Sequence, residues 1–207
     1  MSETTPSTAE TDGTDTTDHT GPTGLNWTDE LLAQLEFHWQ HQLRPRFEGL
    51  SDEEYFWEPV PGSWNVHPRG ASTAPIQGGT GSHTIDFAFP APEPPPITTI
   101  AWRLGHVIVG VLGMRNASHF GGPPLDYYTF EYAATAEAAL AQLDEHHARW
   151  IAGVRSLDDA ALAAPCGPSE GPYAQAPMAT LVLHIHREVI HHGAEIALLR
   201  DLYRAQH

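Results

Sequence analysis

The stretch of sequence that decides the fold is Pro177–Arg204, which reads PMATLVLHIHREVIHHGAEIALLRDLYR. One stripe of residues recurs in it at spacings of three and four, and its members are Ile185, Val189, His192, Ile196, Leu199 and Tyr203. This period places the stripe on one face of an α-helix, so the sequence predicts an amphipathic helix packed against a core. Pro177 suits the first turn, where the backbone N–H has no partner within the helix.

Three earlier segments show the same helical period, and they span residues 28–48, 97–120 and 135–156. A Thr or Asp at 28–29 and a Thr at 98–99 can cap the first two helices. Four amphipathic segments without a convincing strand pattern predict an all-α fold, and specifically a four-helix bundle.

The segment between the first two helices, residues 50–96, is rich in Gly, Pro, Ser and Trp and has little helical period. A connection this long is typical of bundles with a crossover, so we predict a long crossover between helices one and two, with a short helical turn at Asp52–Tyr55. Residues 1–24 contain almost nothing apolar, which predicts a disordered acidic tail. The folded domain is therefore expected at residues 25–207.

The chain carries 26 acidic residues against 10 basic ones, with a formal net charge of −16. Such a surface repels nucleic-acid phosphates and anionic lipid. The longest apolar stretch, near Ile100–Met114, is interrupted by Arg103 and His106 and is too short to span a bilayer. Cys166 is the only cysteine, which excludes an intrachain disulfide. These features predict a cytoplasmic protein that binds neither nucleic acid nor membrane.

The predicted fourth helix also carries two residues with metal-ligand chemistry. Glu188 and His192 are four residues apart, so their side chains lie on one helix face, one turn apart. His192 falls on the apolar stripe, where a polar group costs free energy unless it is paired or binds a metal. His106 is the candidate third ligand because it lies within the apolar, Gly-rich stretch Trp102–Gly110. Three protein ligands would leave positions open for water or substrate; a buried His–Glu network without metal is the alternative.

At these residues the chain resembles a known family. Trp102–Phe120 and His184–Tyr203 resemble the actinobacterial branch of the DinB-like superfamily of metal-binding four-helix bundles, and Asp52–Val66 resembles the segment after its first helix. This branch is related to the mycothiol-dependent maleylpyruvate isomerases and to the bacillithiol and mycothiol S-transferases.

The family pattern has one His on the second helix and a Glu or His followed four residues later by a His on the last helix. The resemblance therefore implies His106, Glu188 and His192 as the ligands of a divalent metal, zinc first and nickel as the alternative. The adjacent His191 and the preceding His184 leave the register of the ligands open.

The resemblance also implies a thiol-dependent S-transferase or isomerase, in which the metal activates mycothiol or a similar small thiol for attack on an electrophile. Arg103 and Arg187 are then expected to contact carboxylates of cofactor or substrate, with a structural role as the alternative. Two other functions stay open: a non-catalytic, stress-associated metal-binding bundle and a metal-dependent hydrolase. A homodimer is a further expectation, because the exposed face of such bundles often mediates dimer contacts.

Overall fold

The computed structural model describes residues 24–207, so the predicted tail at 1–24 lies outside the described residues except for its last position. The chain is mostly helical, with one small sheet. The regular elements are α1 (Trp27–His38), α2 (Asp52–Tyr55), β1 (Val66–Pro68), β2 (Ile76–Gly78), β3 (His83–Phe87), α3 (Ile100–His106), α4 (Met114–His119), α5 (Ala136–Arg155), α6 (Asp159–Ala163) and α7 (Met178–Gln206). None of the helices in this range is both long enough and apolar enough to cross a membrane.

Helices α1 and α3 are each continued by helical backbone that is not α-helical. A π-helical turn at Trp39–Leu43 and a 3₁₀ turn at Arg44–Phe47 continue α1, which confirms a helical segment close to the predicted 28–48. A π-helical stretch at Val107–Gly113 joins α3 to α4 with helical backbone throughout, so that residues 100–119 form one rod. Each π turn holds an extra residue, which rotates the side chains that follow it around the helix axis.

The helix starts follow ordinary capping chemistry. Thr99 accepts a hydrogen bond from the N–H of Trp102, and Thr135 accepts one from that of Ala138, each at 3.2 Å. These caps confirm the predicted starts of the second and third long helices. The cap of α1 was predicted two or three residues too late, because Asn26 performs it and Thr28 instead donates to the carbonyl of Leu157.

The all-α prediction missed a three-stranded antiparallel sheet of order β1-β3-β2 within the crossover. The central strand is buried at Thr84, Ile85 and Asp86, where it faces the rod 100–119. The indole N–H of Trp102 donates to the carbonyl of Asp86 at 2.8 Å, which attaches the sheet to α3. The crossover is therefore an ordered cover at one end of α3, and its predicted short turn at Asp52–Tyr55 is confirmed as α2.

The four long helical segments pack through their apolar faces. The α1 segment contacts α5 and α7, and the rod 100–119 contacts the same two helices from the other side. Gly193 lets α7 approach the α1 segment closely, because an added Cβ at this position would collide with the side chain of Leu43. Near its C-terminal end, α7 is attached to α2 by a buried ion pair, in which Arg200 Nε donates to Glu54 Oε1 at 2.6 Å. These contacts fix the position of α7 along the other helices.

Two buried imidazoles make this packing sensitive to acid. His147 on α5 stacks on Trp39 with ring centroids 3.6 Å apart, and His186 on α7 lies against Trp150. Neither Nε2 atom has a hydrogen-bond partner within residues 24–207. Burial lowers the pKa of each imidazole to about 4, so both are neutral in the folded protein at pH 7.

We expect the free energy of unfolding to be highest above about pH 6.5 and to fall between about pH 6.5 and 4, by about 1 kcal/mol per pH unit for each imidazole. The reason is that the unfolded chain takes up these protons at its ordinary pKa, whereas the folded chain does not until about pH 4. Urea unfolding at a series of pH values measures this slope. A His147→Gln/His186→Gln variant should have a shallower slope over that range, and an unchanged slope would contradict the assignment.

Candidate functional site

His106 is the last residue of α3 and sits directly before the π-helical stretch. Its Nδ1 is hydrogen-bonded to the hydroxyl of Tyr127 at 2.6 Å, and its ring stacks on Trp102 at 5.5 Å. Tyr127 can approach His106 because the residue one helical turn after His106 is Gly110. A Cβ at that position would collide with the Tyr127 hydroxyl. The ring is therefore held on two sides, and Nε2 makes no hydrogen bond within residues 24–207.

The structure brings the three predicted metal ligands together. His192 on α7 meets His106 edge to face, with ring centroids 4.8 Å apart. On the same helix, Glu188 Oε2 lies 3.6 Å from His192 Nε2. His106 and Glu188 also line the same cavity. One imidazole from the rod 100–119 thus lies next to a carboxylate–imidazole pair from α7.

A second, overlapping group on α7 is more compact. His191, His192 and Glu195 offer ligand atoms that all lie within 4.8 Å of one another, and His106, Glu188 and His192 do not form such a group among residues 24–207. The compact group is also the more exposed one, because the side chain of His191 is 60% accessible. All of its members come from a single helix, and one of them is already neutralised by an arginine.

That arginine is Arg103, whose guanidinium donates to Glu195 Oε2. The same carboxylate oxygen lies 2.7 Å from His192 Nδ1. Nδ1 of His192 is therefore engaged by Glu195, which is itself paired with Arg103. The other ring nitrogen, Nε2, lies on the side of Glu188. A carboxylate bonded to the distal nitrogen of an imidazole fixes the tautomer and the direction of its lone pair.

Arg187, the other arginine expected to contact ligand, lies on the solvent side of Glu188 and is 69% accessible. It donates from Nη2 to Glu188 Oε1 at 3.1 Å, and His184 Nδ1 lies 3.4 Å from the same oxygen. Glu188 thus has a cation on one oxygen and His192 near the other. His184 and Arg187 stand at the mouth of the site, where the sequence left the register open.

Electrostatics set the protonation of the two central groups. Burial, and then the nearby His192, lower the pKa of His106 to about 4, so its ring is neutral at pH 7. Burial opposes ionisation of Glu188, but the hydrogen bond from Arg187 and the positive surroundings outweigh it and hold the pKa of that carboxyl below its usual value. Burial raises the pKa of Tyr127 to about 12, so its hydroxyl stays protonated. A neutral imidazole and an ionised carboxylate are the forms in which these side chains bind metals.

Two adjacent cavities lie beside these residues. An inner cavity of about 290 Å³ is bordered by His106, Tyr127 and Glu188. An outer cleft of about 840 Å³ lies between the start of α7 and the segment 166–176. Arg115 and His184 line both, so the two spaces share a wall. Tyr127 and Arg115 were not predicted from the sequence, because neither belongs to a motif and only the folded chain brings them beside His106.

Replacing Gly110 by alanine should destabilise the protein by about 1–3 kcal/mol, because the added methyl group meets the Tyr127 hydroxyl beside His106. Tyr127→Phe removes the colliding oxygen. In a double-mutant cycle measured by urea unfolding, Gly110→Ala should therefore cost less in the Tyr127→Phe background than in the wild type. Equal costs in the two backgrounds would show that Tyr127 does not occupy this position.

A family model described as the DinB superfamily matches residues 81–196, more than half of the chain, and this range contains His106, Glu188 and His192. No curated protein and no solved structure is significantly similar to the chain.

Proposed function

Because the chain belongs to the DinB superfamily, we propose that His106, Glu188 and His192 bind one divalent metal ion, and that the protein is a thiol-dependent S-transferase or isomerase. The four long helical segments would then correspond to the four-helix bundle of the superfamily. The observation that carries the proposal is the meeting of His106 with the Glu188–His192 pair across two helices, at the wall of a cavity.

The donor set fits a borderline divalent ion. Two imidazoles and one carboxylate suit zinc, with nickel as the alternative. His106 has one ring nitrogen held by Tyr127 and the other without a hydrogen bond, and His192 has Nδ1 held by Glu195. Both imidazoles are thus oriented by a partner on the nitrogen that would not bind the ion, which is the usual arrangement around bound metals.

When bound, such an ion lowers the pKa of a coordinated thiol, so that a thiolate is available near neutral pH. The protein then has to bring the electrophile to the sulfur, and the inner cavity provides the space for this. Arg187 at the mouth remains the residue proposed to contact a carboxylate of the cofactor or of the substrate. For Arg103 we propose positioning of His192 through Glu195, because its guanidinium is engaged there.

The ligand assignment predicts the metal content of alanine variants. Purified protein dialysed against zinc should hold about one ion per chain, and His106→Ala, Glu188→Ala and His192→Ala should each lose most of it, because each removes one of three donors. Zinc is counted by inductively coupled plasma mass spectrometry. His41→Ala, which removes an exposed imidazole of the α1 segment, is the matched control and should retain full occupancy.

His191→Ala separates the two possible registers. It removes a member of the compact group on α7 but none of the proposed ligands, so it should keep its zinc. Loss of zinc in His191→Ala together with retention in His106→Ala would reject our assignment in favour of the compact group. Glu195→Gln should keep the site but weaken zinc binding by about 10- to 100-fold, as measured by competition with a chromophoric chelator.

Thiol use is tested separately. In cobalt-substituted protein, addition of mycothiol should produce a sulfur-to-metal charge-transfer absorption band, and calorimetry should show binding of mycothiol to zinc-loaded but not to zinc-free protein. Metal-loaded protein that gives no band and no heat with mycothiol would contradict the thiol-dependent function. It would favour a non-catalytic metal-binding role or hydrolysis by metal-bound water.

A further inference from the structure

The outer cleft has the size and shape of a ligand site. Its volume of about 840 Å³ lies within the range typical of pockets for small organic molecules. Its apolar part includes Tyr173 and Ala176 on one side and Leu181 and Leu183 on the other. Arg115 and His184 line both the cleft and the inner cavity, so the two spaces are adjacent. A molecule in the cleft therefore lies next to the cavity that His106 and Glu188 border.

Two of the ten arginines of this acidic chain border the cleft. The guanidinium of Arg115 donates to the carbonyl of Gly110 at 2.6 Å and, over a longer distance of 3.3 Å, to Glu170. Arg187 directs Nε and Nη2 at Glu188, and Nη2 also contacts His184 Nδ1 at 2.5 Å; its Nη1 makes no hydrogen bond within residues 24–207. Each guanidinium thus retains donor capacity beyond its present partner.

The carboxylates near these arginines already accept hydrogen bonds, so an incoming anion would be met by the guanidinium N–H groups that these carboxylates leave free. Glu170 accepts from His119 at 2.9 Å on one oxygen and from Arg115 on the other. Glu188 is paired with Arg187 on the side of the mouth. The first turn of the long helix α7, at Thr180 and Leu181, also lines the cleft and adds the positive end of the helix dipole.

We propose that the outer cleft binds an organic carboxylate, with the charged group held by Arg115 and Arg187 and the apolar body lying against the side chains of Leu181 and Leu183. A planar guanidinium presents paired donors that match the two oxygens of a carboxylate. The proposal deepens the proposed function by naming the chemical class of the electrophile, and it depends on that function only for the reaction. Binding itself requires the cleft and its two arginines.

The test uses phenylacetate as the probe and phenylacetamide as its uncharged match, each titrated into the full chain and followed by ligand-observed NMR. Phenylacetate should bind at least fivefold more tightly than phenylacetamide. Arg115→Met and Arg187→Met should each weaken phenylacetate binding at least fivefold and leave phenylacetamide binding unchanged. Arg155→Met is the control, because Arg155 pairs with Glu36 away from both cavities and is 57% accessible.

Arg115→Met leaves Glu170 with one partner fewer, so Arg115→Lys provides a second variant that keeps the charge and loses the paired donors. It should bind phenylacetate with an affinity between those of wild type and Arg115→Met. Equal affinity for the two probes, no detectable binding of phenylacetate, or wild-type affinity in Arg187→Met would overturn the proposal.

Each titration is made with zinc-free and with zinc-loaded protein, which distinguishes this proposal from the metal site. Phenylacetate binding that is the same in both states and depends on the arginines supports the cleft, even where the zinc measurements contradict the proposed ligands. Binding that requires zinc and ignores the arginines would mean that the carboxylate coordinates the ion, and it would reject the cleft as the anion site.

Discussion

The position of α7 along the rod 100–119 is the constraint on which the rest of the structure depends. Ile185, Val189 and Ile196 bury one stripe of α7, and Gly193 lets the helix approach Leu43 closely. The same stripe carries His192, and Glu188 lies one turn before it. Because a shift by one turn moves a helix by about 5.4 Å, any other register would carry Glu188 and His192 away from His106. The packing of α7 in the core therefore also sets the distance of Glu188 and His192 from His106.

A second regularity is that carboxylates at the site and the cleft are shared between an arginine and a histidine. It occurs three times, in Arg103–Glu195–His192, Arg187–Glu188–His184 and Arg115–Glu170–His119. In each, the arginine and the histidine both lie within ion-pair distance of the same carboxylate, which holds the imidazole in one orientation. This arrangement allows several histidines and acids to lie close together in a strongly acidic chain, because each imidazole is held in a defined orientation by its carboxylate partner.

The sequence predicted the parts that depend on local period and missed those that depend on pairing. Long apolar stripes predicted the four long helical segments, and the i, i+4 spacing predicted that Glu188 and His192 lie on one face of α7, where their side chains are 3.6 Å apart. The strands were missed because they are only three to five residues long and lie among Gly and Pro. Arg103 was expected to bind a ligand, and its present partner Glu195 lies 92 positions away, a contact that no local pattern encodes. Tyr127, 21 positions after His106, was missed for the same reason.

The overall charge and the local charge of the cleft act on different steps of binding. A net charge of −16 repels an approaching anion over distances up to a Debye length, about 8 Å at physiological salt, which slows its association. Inside the cleft, contact with Arg115 and Arg187 acts at hydrogen-bond distance, where salt screens much less. The uncharged thiol that we propose would not experience the first effect, and the proposed carboxylate would benefit only from the second. The acidic surface would therefore not hinder entry of such a thiol, while retention of the carboxylate would depend on Arg115 and Arg187.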